Sequence, residues 1–134
     1  MIKEHNVWVE QKKKIDAFKA QVLFQEREIW WCASGVNIGH EQDGSGEKFL
    51  RPVLIIRKFN ASTAWVLPLT TSLKEKPYRL FVMFEGNINT ILLSQLKLVD
   101  EKRLVGKMAK LSTFQFIEIK KALVQLLGFG ELLV

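Results

Sequence analysis

From residue 28 onward, the sequence consists of short apolar segments rich in β-branched and aromatic residues, with turn-forming residues between them. Segments of this composition and spacing are typical of the strands of a small barrel or sandwich. Pro52 and Pro68 cannot donate ladder hydrogen bonds, so each is expected at a strand start, an edge or a bulge. The predicted strands are Ile29 to Ala33, Arg51 to Phe59, Ala64 to Leu69, Tyr78 to Phe84 and Thr90 to Lys97.

The last apolar segment has the periodicity of a helix. Ser112 is the predicted N-cap, and Gln115, three residues later, completes a capping box. Gly128 is expected to end the helix, which would close one face or end of the barrel. The apolar side chains at helical spacing are Phe116, Ile119, Leu123, Leu126 and Leu127.

The start of the chain differs in composition, because about Lys3 to Gln25 contains no Gly or Pro. Its apolar residues Trp8, Ile15, Phe18 and Val22 lie on one stripe of a helix, which predicts an N-terminal amphipathic helix. The lysines at positions 12–14 are interpreted as a solvated helix face in preference to an RNA contact. We therefore expect a helical extension over residues 1–27 and a barrel domain with a C-terminal helix over residues 28–134.

Length, composition and charge limit the kinds of protein that this chain can be. A length of 134 residues suits one domain, and 48% hydrophobic with 25% charged residues is typical of a globular protein. The sequence has no apolar run of the ~18 residues that a membrane span needs, and its charged N-terminus is unlike a secretory signal, so a cytoplasmic protein without membrane contact is expected. The formal net charge of +6 favours a polyanionic partner.

Several kinds of catalytic or metal site are disfavoured. Cys32 is the single cysteine, so an internal disulfide is impossible, and with only His5 and His40 beside it no Cys/His zinc cluster is expected. Carboxylate-bound magnesium or calcium stays open. Residues 44–48 lack the spacing of a Walker A loop or of a dinucleotide fingerprint, and there is no Gly-x-Ser-x-Gly elbow. Cys32 lies within an apolar segment, which predicts a buried, inert thiol.

The segment between the first two predicted strands, residues 35–48, is polar and carries four glycines. Because functional residues concentrate in loops on a rigid scaffold, His40 and Glu41 of this loop are expected to converge with Arg51. They would supply a group that titrates near neutrality, a carboxylate and a fixed cation, which suffice to move protons around a phosphate. By residue type alone the pattern is weak, since a surface His beside a Glu is usually solvated surface.

Five motifs in a fixed order resemble the MazF/PemK/Kid family of toxin endoribonucleases over about Glu28 to Leu127. The resemblance implies a mainly β fold, a small SH3-like or CcdB-like β-barrel with a C-terminal α-helix, and it implies a homodimer. It also implies cofactor-free, metal-independent cleavage of single-stranded RNA, and a cognate antitoxin whose disordered, often acidic tail occupies the RNA groove. The motifs are Glu28-Ile29-Trp30-Trp31, Gly39-His40-Glu41-Gln42, Arg51-Pro52-Val53-Leu54-Ile55-Ile56, Pro68-Leu69-Thr70-Thr71, and Ser94-Gln95 with Asp100 and Arg103-Leu104.

The resemblance also implies roles for individual residues. Arg51 matches the arginine of the family's Arg-Pro-Val motif, and Thr70 matches the threonine or serine that ends its third strand. Together they correspond to the family's usual active-site pair. His40 matches a position that is histidine in the Kid-like members and often serine elsewhere. Leu92 and Ser94 stand where the Kid-like members have an Arg and an Asp.

The predicted chemistry is attack of an RNA 2′-hydroxyl on its own phosphate, giving a 2′,3′-cyclic phosphate and a 5′-hydroxyl. Arg51 would bind two phosphate oxygens, Thr70 would donate to the same phosphate, and His40, in preference to Glu41, would transfer protons. The residues expected to contact RNA are Gln42, Lys48, Thr71, Lys74, Lys76 and Arg79.

Other interpretations stay open. Arg51 could pair with Glu41 or Glu47, Thr70 could be a plain strand-end residue, and the apolar neighbours of the tryptophans favour core or dimer packing over base stacking. Two functions of other classes compete. A gyrase poison of the CcdB type needs no Arg/Thr pair, so the presence of Arg51 and Thr70 argues against it. A non-catalytic RNA-binding module stays open because of the departures at Leu92 and Ser94.

Overall fold

The computed structural model describes residues 22–33 and 50–128. These residues form seven strands, one α-helix and two short 3-10 turns, Leu93–Gln95 and Glu101–Arg103. The strands are β1 (Glu28–Ala33), β2 (Leu50–Lys58), β3 (Thr63–Thr70), β4 (Arg79–Phe84), β5 (Asn87–Leu92), β6 (Lys97–Asp100) and β7 (Leu104–Lys110), and the helix is α1 (Thr113–Leu126).

All strand pairs are antiparallel, and the sheet has the order β4-β5-β3-β2-β1-β7, with β6 paired to β3. Strand β3 changes partner along its length: Thr63 to Val66 pair with β6, whereas Leu69 and Thr70 pair with β5. Pro68 lies in the gap between these two ladders, where the ladder to β2 also ends. A residue without an N–H fits such a gap.

The predicted closed barrel is wrong, because the sheet is open. Within the described residues β4 pairs only with β5, and β7 pairs only with β1. Helix α1 covers the core between these two edge strands, since one buried cluster contains Val82 of β4, Ala109 of β7 and Ile119 of α1. The Gln115 side-chain amide also donates to the Met83 carbonyl of β4 at 2.8 Å. The helix therefore buries this core without a ladder between β4 and β7.

Two buried clusters lie on opposite faces of the sheet. The first is the cluster beneath α1. The second is on the other face and includes Phe24, Trp30, Cys32, Val53 and Val66. Trp30 and Cys32 are buried there, which agrees with their predicted core positions, whereas Trp31 and Trp65 keep part of their rings exposed.

Four of the five predicted strands agree with the structure to within one residue at each end. The fifth prediction, Thr90 to Lys97, is wrong because it joins parts of β5 and β6 across a 3-10 turn. The Leu93 N–H donates to the Tyr78 carbonyl at 2.9 Å, which continues the register of β4 and β5 by one residue before the chain turns toward β6. Strand β7 was not among the predictions.

The two helix predictions differ in outcome. Helix α1 is confirmed: Ser112 is the N-cap, both bonds of the capping box with Gln115 are present, and Gly128 has φ 78°. The predicted N-terminal helix lies mostly outside the described residues, but residues 22–25 are not helical, and Phe24 is buried in the second cluster. In the part of the chain that the structure describes, no helix is long and apolar enough to cross a membrane.

Candidate functional site

Arg51 is the second residue of β2 and lies directly opposite Cys32 of β1. Opposed residues on antiparallel strands share a face, so Arg51 belongs to the face of the second cluster, yet it is exposed at the end of its strand. No carboxylate within residues 22–33 and 50–128 pairs with it. The alternative partners Glu41 and Glu47 lie outside the described residues.

Thr70 ends β3 at the same end of the sheet. The ladder between β2 and β3 stops at the pair of Val53 and Pro68, and Arg51 and Thr70 each lie two residues beyond that pair. Continuing the same register brings Arg51 and Thr70 to opposite positions on one face, where the two strands part. By this register the guanidinium of Arg51 and the hydroxyl of Thr70 lie at the same rim of the sheet.

Hydrogen bonds hold the chain just after Thr70. The Thr70 hydroxyl oxygen accepts from the Ser72 N–H at 3.2 Å, and the hydroxyl of Thr90 donates to the Ser72 carbonyl at 2.7 Å. Because Thr70 uses only a lone pair in this bond, its own proton stays available for another acceptor. Ser72 is thus held at both its N–H and its carbonyl, and its N–H holds the Thr70 hydroxyl oxygen in place.

Sequence reasoning did not single out Thr90, which is fully buried and directly opposite Thr70. A signal was present, because a hydroxyl in the apolar segment Thr90-Ile91-Leu92 must find a hydrogen-bond partner once it is buried.

The basic residues predicted to contact RNA lie in and after the loop that follows β3. Arg79 shares a face with Thr70, because Arg79 and Phe81 are two residues apart on β4, Phe81 opposes Thr90, and Thr90 opposes Thr70. Lys74 and Lys76 are exposed in the loop, as is Thr71 at its start. Arg79 reaches back to the Lys74 carbonyl, with 3.5 Å between donor and acceptor. An open surface cavity of about 400 Å³ is lined by Glu75, Lys76, Pro77, Arg79 and Phe81.

Several candidate positions contribute no charge or are not described. His40, Glu41, Gln42 and Lys48 lie outside the described residues. Leu92 is the buried last residue of β5, and Ser94 is exposed in the following 3-10 turn, so neither supplies an acid or a base.

The thiol beside Arg51 is not activated. Burial raises the pKa of the Cys32 thiol, and the nearby charges of Lys97 and Arg103 only partly oppose this rise. A neutral, buried thiol is a poor nucleophile, which agrees with the predicted inert cysteine. The described residues also include no group of three His, Cys, Asp or Glu that could hold a metal ion.

The arrangement suits an anionic substrate with a phosphate at the rim. Arg51 offers a planar fork of donors, Thr70 offers a hydroxyl proton, and Lys76 and Arg79 extend the positive charge along the same side of the sheet.

Several solved structures share the fold of this chain. MazF (Form-I) from Deinococcus radiodurans has a TM-score of 0.60 and 21% identity, covering 79% of this chain and 97% of that one. An endoribonuclease in complex with its cognate antitoxin, from Mycobacterial species, has a TM-score of 0.60 and 13% identity, covering 78% and 95%. The Mycobacterium tuberculosis toxin MazF-mt6 has a TM-score of 0.56 and 15% identity, covering 74% and 94%.

At these identities the structures show a shared fold. No curated protein matches the chain significantly. The model of the PemK-like, MazF-like toxins of type II toxin-antitoxin systems matches residues 25–127, which is most of the chain and includes Arg51, Thr70 and the basic loop. The chain therefore belongs to the family of PemK-like, MazF-like toxins of type II toxin-antitoxin systems.

Proposed function

We propose that this protein is a toxin that cleaves single-stranded RNA without a metal ion. The observation that carries the proposal is the Arg51 and Thr70 pair at one rim, flanked by the basic loop, in a chain of this toxin family. A related structure from Mycobacterial species is described as an endoribonuclease. Because the substrate would be messenger RNA, the proposed site of action is the cytoplasm.

In the proposed reaction the 2′-oxygen of one nucleotide attacks its own 3′-phosphate. A base removes the 2′-hydroxyl proton, the bond from phosphorus to the 5′-oxygen breaks, and an acid protonates that oxygen. The products are a 2′,3′-cyclic phosphate and a 5′-hydroxyl. Arg51 would hold two phosphate oxygens through parallel hydrogen bonds, and Thr70 would donate its free proton to the same group.

Proton transfer is assigned to the loop before β2. His40 is the preferred carrier and Glu41 the second candidate, because an unperturbed histidine titrates at ~6.5 and a glutamate well below the working pH. Gln42, Lys48 and Thr71 are further proposed RNA contacts. The pH dependence of the cleavage rate tests this assignment, since a histidine carrier requires a limb near its own pKa.

One assay distinguishes the proposed nuclease from the two alternative functions. Purified protein is incubated with long single-stranded RNA in EDTA, and the product ends are analysed. Cleavage to 2′,3′-cyclic phosphate ends supports the proposed nuclease. Bound but intact RNA would favour the non-catalytic module, and neither binding nor cleavage would favour a CcdB-type poison that acts on a protein target.

Removing the Thr70 hydroxyl is expected to slow cleavage by up to about 10²-fold, because one preorganised donor to the phosphate is lost. Thr70→Val keeps the β-branched shape, and Thr70→Ser should retain most of the activity because it keeps the hydroxyl. Initial cleavage rates of both variants are compared with Thr63→Val, the same substitution at the other end of β3. Equal rates for Thr70→Val and wild type would remove Thr70 from the mechanism.

RNA affinity is expected to fall with added salt, with a log–log slope of ~0.7 for each phosphate neutralised on a single strand. The double variant Lys76→Gln with Arg79→Gln should therefore have a shallower slope than wild type. Lys120→Gln with Lys121→Gln, on α1, removes the same charge elsewhere and should keep the wild-type slope. Affinity that does not change between low and physiological salt would contradict an electrostatic RNA site.

The proposed partners are a second copy of the chain and an antitoxin. The structure of MazE-MazF from Deinococcus radiodurans and that of the Mycobacterial endoribonuclease with its cognate antitoxin support the antitoxin. Exposed apolar side chains on α1, among them Phe114, Ile117 and Val124, support an interface of some kind. Residues 1–27 are proposed to support packing, dimerisation or antitoxin docking.

A homodimer predicts a mass near twice the 15.5 kDa of the chain at tens of micromolar protein. The measurement is light scattering coupled to size-exclusion chromatography. A monomer mass across that concentration range would contradict the proposed assembly.

A further inference from the structure

Phe81 presents an exposed aromatic ring on the same face of the sheet as Arg51 and Thr70. It lies directly opposite Thr90 on β5, and Thr90 lies directly opposite Thr70 on β3. With strands ~4.7–4.9 Å apart, the backbones of Phe81 and Thr70 are roughly 10 Å apart across the sheet. A short length of single-stranded RNA spans that distance.

The strand pattern explains why this ring faces solvent. Its neighbours Leu80 and Val82 point to the other side of β4, where they pack against the cluster beneath α1. The alternation of a strand therefore turns Phe81 outward, and its side chain is 45% exposed. Burial in the core of the described fold does not account for an aromatic residue here.

The ring forms part of a cavity whose walls carry two cations and one carboxylate. Phe81 lines this cavity of about 400 Å³ together with Lys76, Arg79 and Glu75. The loop that supplies Lys76 is anchored at both ends, by the bond from Thr90 to Ser72 at 2.7 Å and by the bond from the Leu93 N–H to the Tyr78 carbonyl at 2.9 Å. The cavity is thus largely formed before any ligand arrives, which lowers the ordering cost of binding.

We propose that Phe81 is a stacking platform for an unpaired base of the RNA, with Lys76 and Arg79 holding the adjacent phosphates. The inference rests on the proposed RNA-cleaving function and extends it by naming a base-binding subsite on β4. Every base has a π-face, so stacking on Phe81 accepts any base, while the two cations follow the backbone. A base held in this subsite sets the position of the strand relative to Arg51.

Phe59 supplies a matched control, because its side chain is also 45% exposed. It follows β2 at the end opposite to Arg51, roughly 25 Å away at the rise of an extended strand. Its ring already makes an edge-to-face contact with Trp65, with 5.0 Å between centroids. Removing the Phe59 ring therefore tests the loss of an exposed phenylalanine without touching the proposed subsite.

The experiment measures binding of single-stranded 2′-O-methyl RNA oligonucleotides of mixed sequence, which lack the attacking hydroxyl and stay intact. Fluorescence anisotropy gives the affinity of the full chain and of Phe81→Leu, Phe81→Trp and Phe59→Leu, after circular dichroism has shown that each is folded. A second series carries one abasic nucleotide at successive positions. Cleavage of unmodified RNA is measured on the same preparations.

The proposal expects Phe81→Leu to weaken binding by roughly 5- to 100-fold, the loss of one stacked base. Phe81→Trp should keep an affinity close to that of wild type, because it keeps an aromatic ring, and Phe59→Leu should leave the affinity unchanged. An abasic nucleotide at the stacked position should weaken binding to wild type but not further weaken binding to Phe81→Leu.

Other results would overturn the subsite. Unchanged affinity in Phe81→Leu, or an equal loss in Phe59→Leu, rejects base stacking on Phe81, and intact cleavage would then leave the proposed nuclease standing. Wild-type protein that neither binds nor cuts RNA rejects the proposed function and the subsite together.

Discussion

Arg51→Ala is expected to lower the rate of RNA cleavage by about 10²–10³-fold, the scale for losing one preorganised electrostatic donor in the transition state. Arg51→Lys should recover little of this loss, because an ammonium cannot form the two parallel hydrogen bonds of a guanidinium. The fold should survive, since Arg51 is exposed and pairs with no carboxylate among the described residues. Cleavage rates and circular dichroism are measured on the same preparations.

Arg57→Ala is the matched control for this prediction. Arg57 is also exposed on β2, but it lies toward the other end of the strand, with its guanidinium 6.0 Å from the centroid of the Phe59 ring. Its removal should leave the cleavage rate within a few-fold of wild type. A folded Arg51→Ala protein that cuts at a normal rate would reject the mechanism, and so would cleavage that requires magnesium.

Glu28→Ala is expected to lower the free energy of unfolding by about 1–3 kcal/mol, because it leaves the buried indole N–H of Trp30 without an acceptor. The buried carboxylate accepts from the Gln25 N–H at 2.8 Å and from the Trp30 indole N–H at 2.9 Å, and it pairs with Lys107 at 3.1 Å. Urea denaturation at pH 7 measures the change. Glu118→Ala is the control, because the exposed pair of Glu118 and Lys121 should be worth less than ~1 kcal/mol.

The same carboxylate makes stability depend on pH. Burial on its own would raise the pKa of Glu28, but the bonds from Trp30 and Gln25 and the Lys107 charge outweigh it and lower the pKa below its ordinary value of 4.5. The stabilisation is therefore fully present above that value and is lost as the pH falls through the lower pKa of the folded state. Glu28→Ala should lack this loss, so the difference between wild type and variant should shrink in acid. A difference that stays constant from pH 7 to below the folded pKa would contradict the assignment.

Parts of the fold that depend on neighbouring residues could be predicted from the sequence. The capping box of Ser112 and Gln115 is formed within one turn, and the apolar spacing that follows defines α1 directly. Four strands agree to within one residue, because β-branched and aromatic runs bounded by turns specify extended chain locally. The resemblance likewise predicted Arg51 and Thr70 as candidates, since each lies in a short contiguous motif.

Features that depend on contacts between distant parts of the sequence are seen only in the tertiary structure. Residues 90–97 are divided between β5 and β6 because the two strands pair with different parts of β3. The sheet can stay open because α1 covers the core between β4 and β7. The candidate site also depends on distant residues, because the register in which Val53 pairs with Pro68 brings Arg51 and Thr70 to one rim of the sheet. Strand composition does not say which strands meet, and the register of a pair depends also on the turns between strands and on which face is buried. Local chemistry thus determined the elements and the candidate residues, and packing determined which of them face one another.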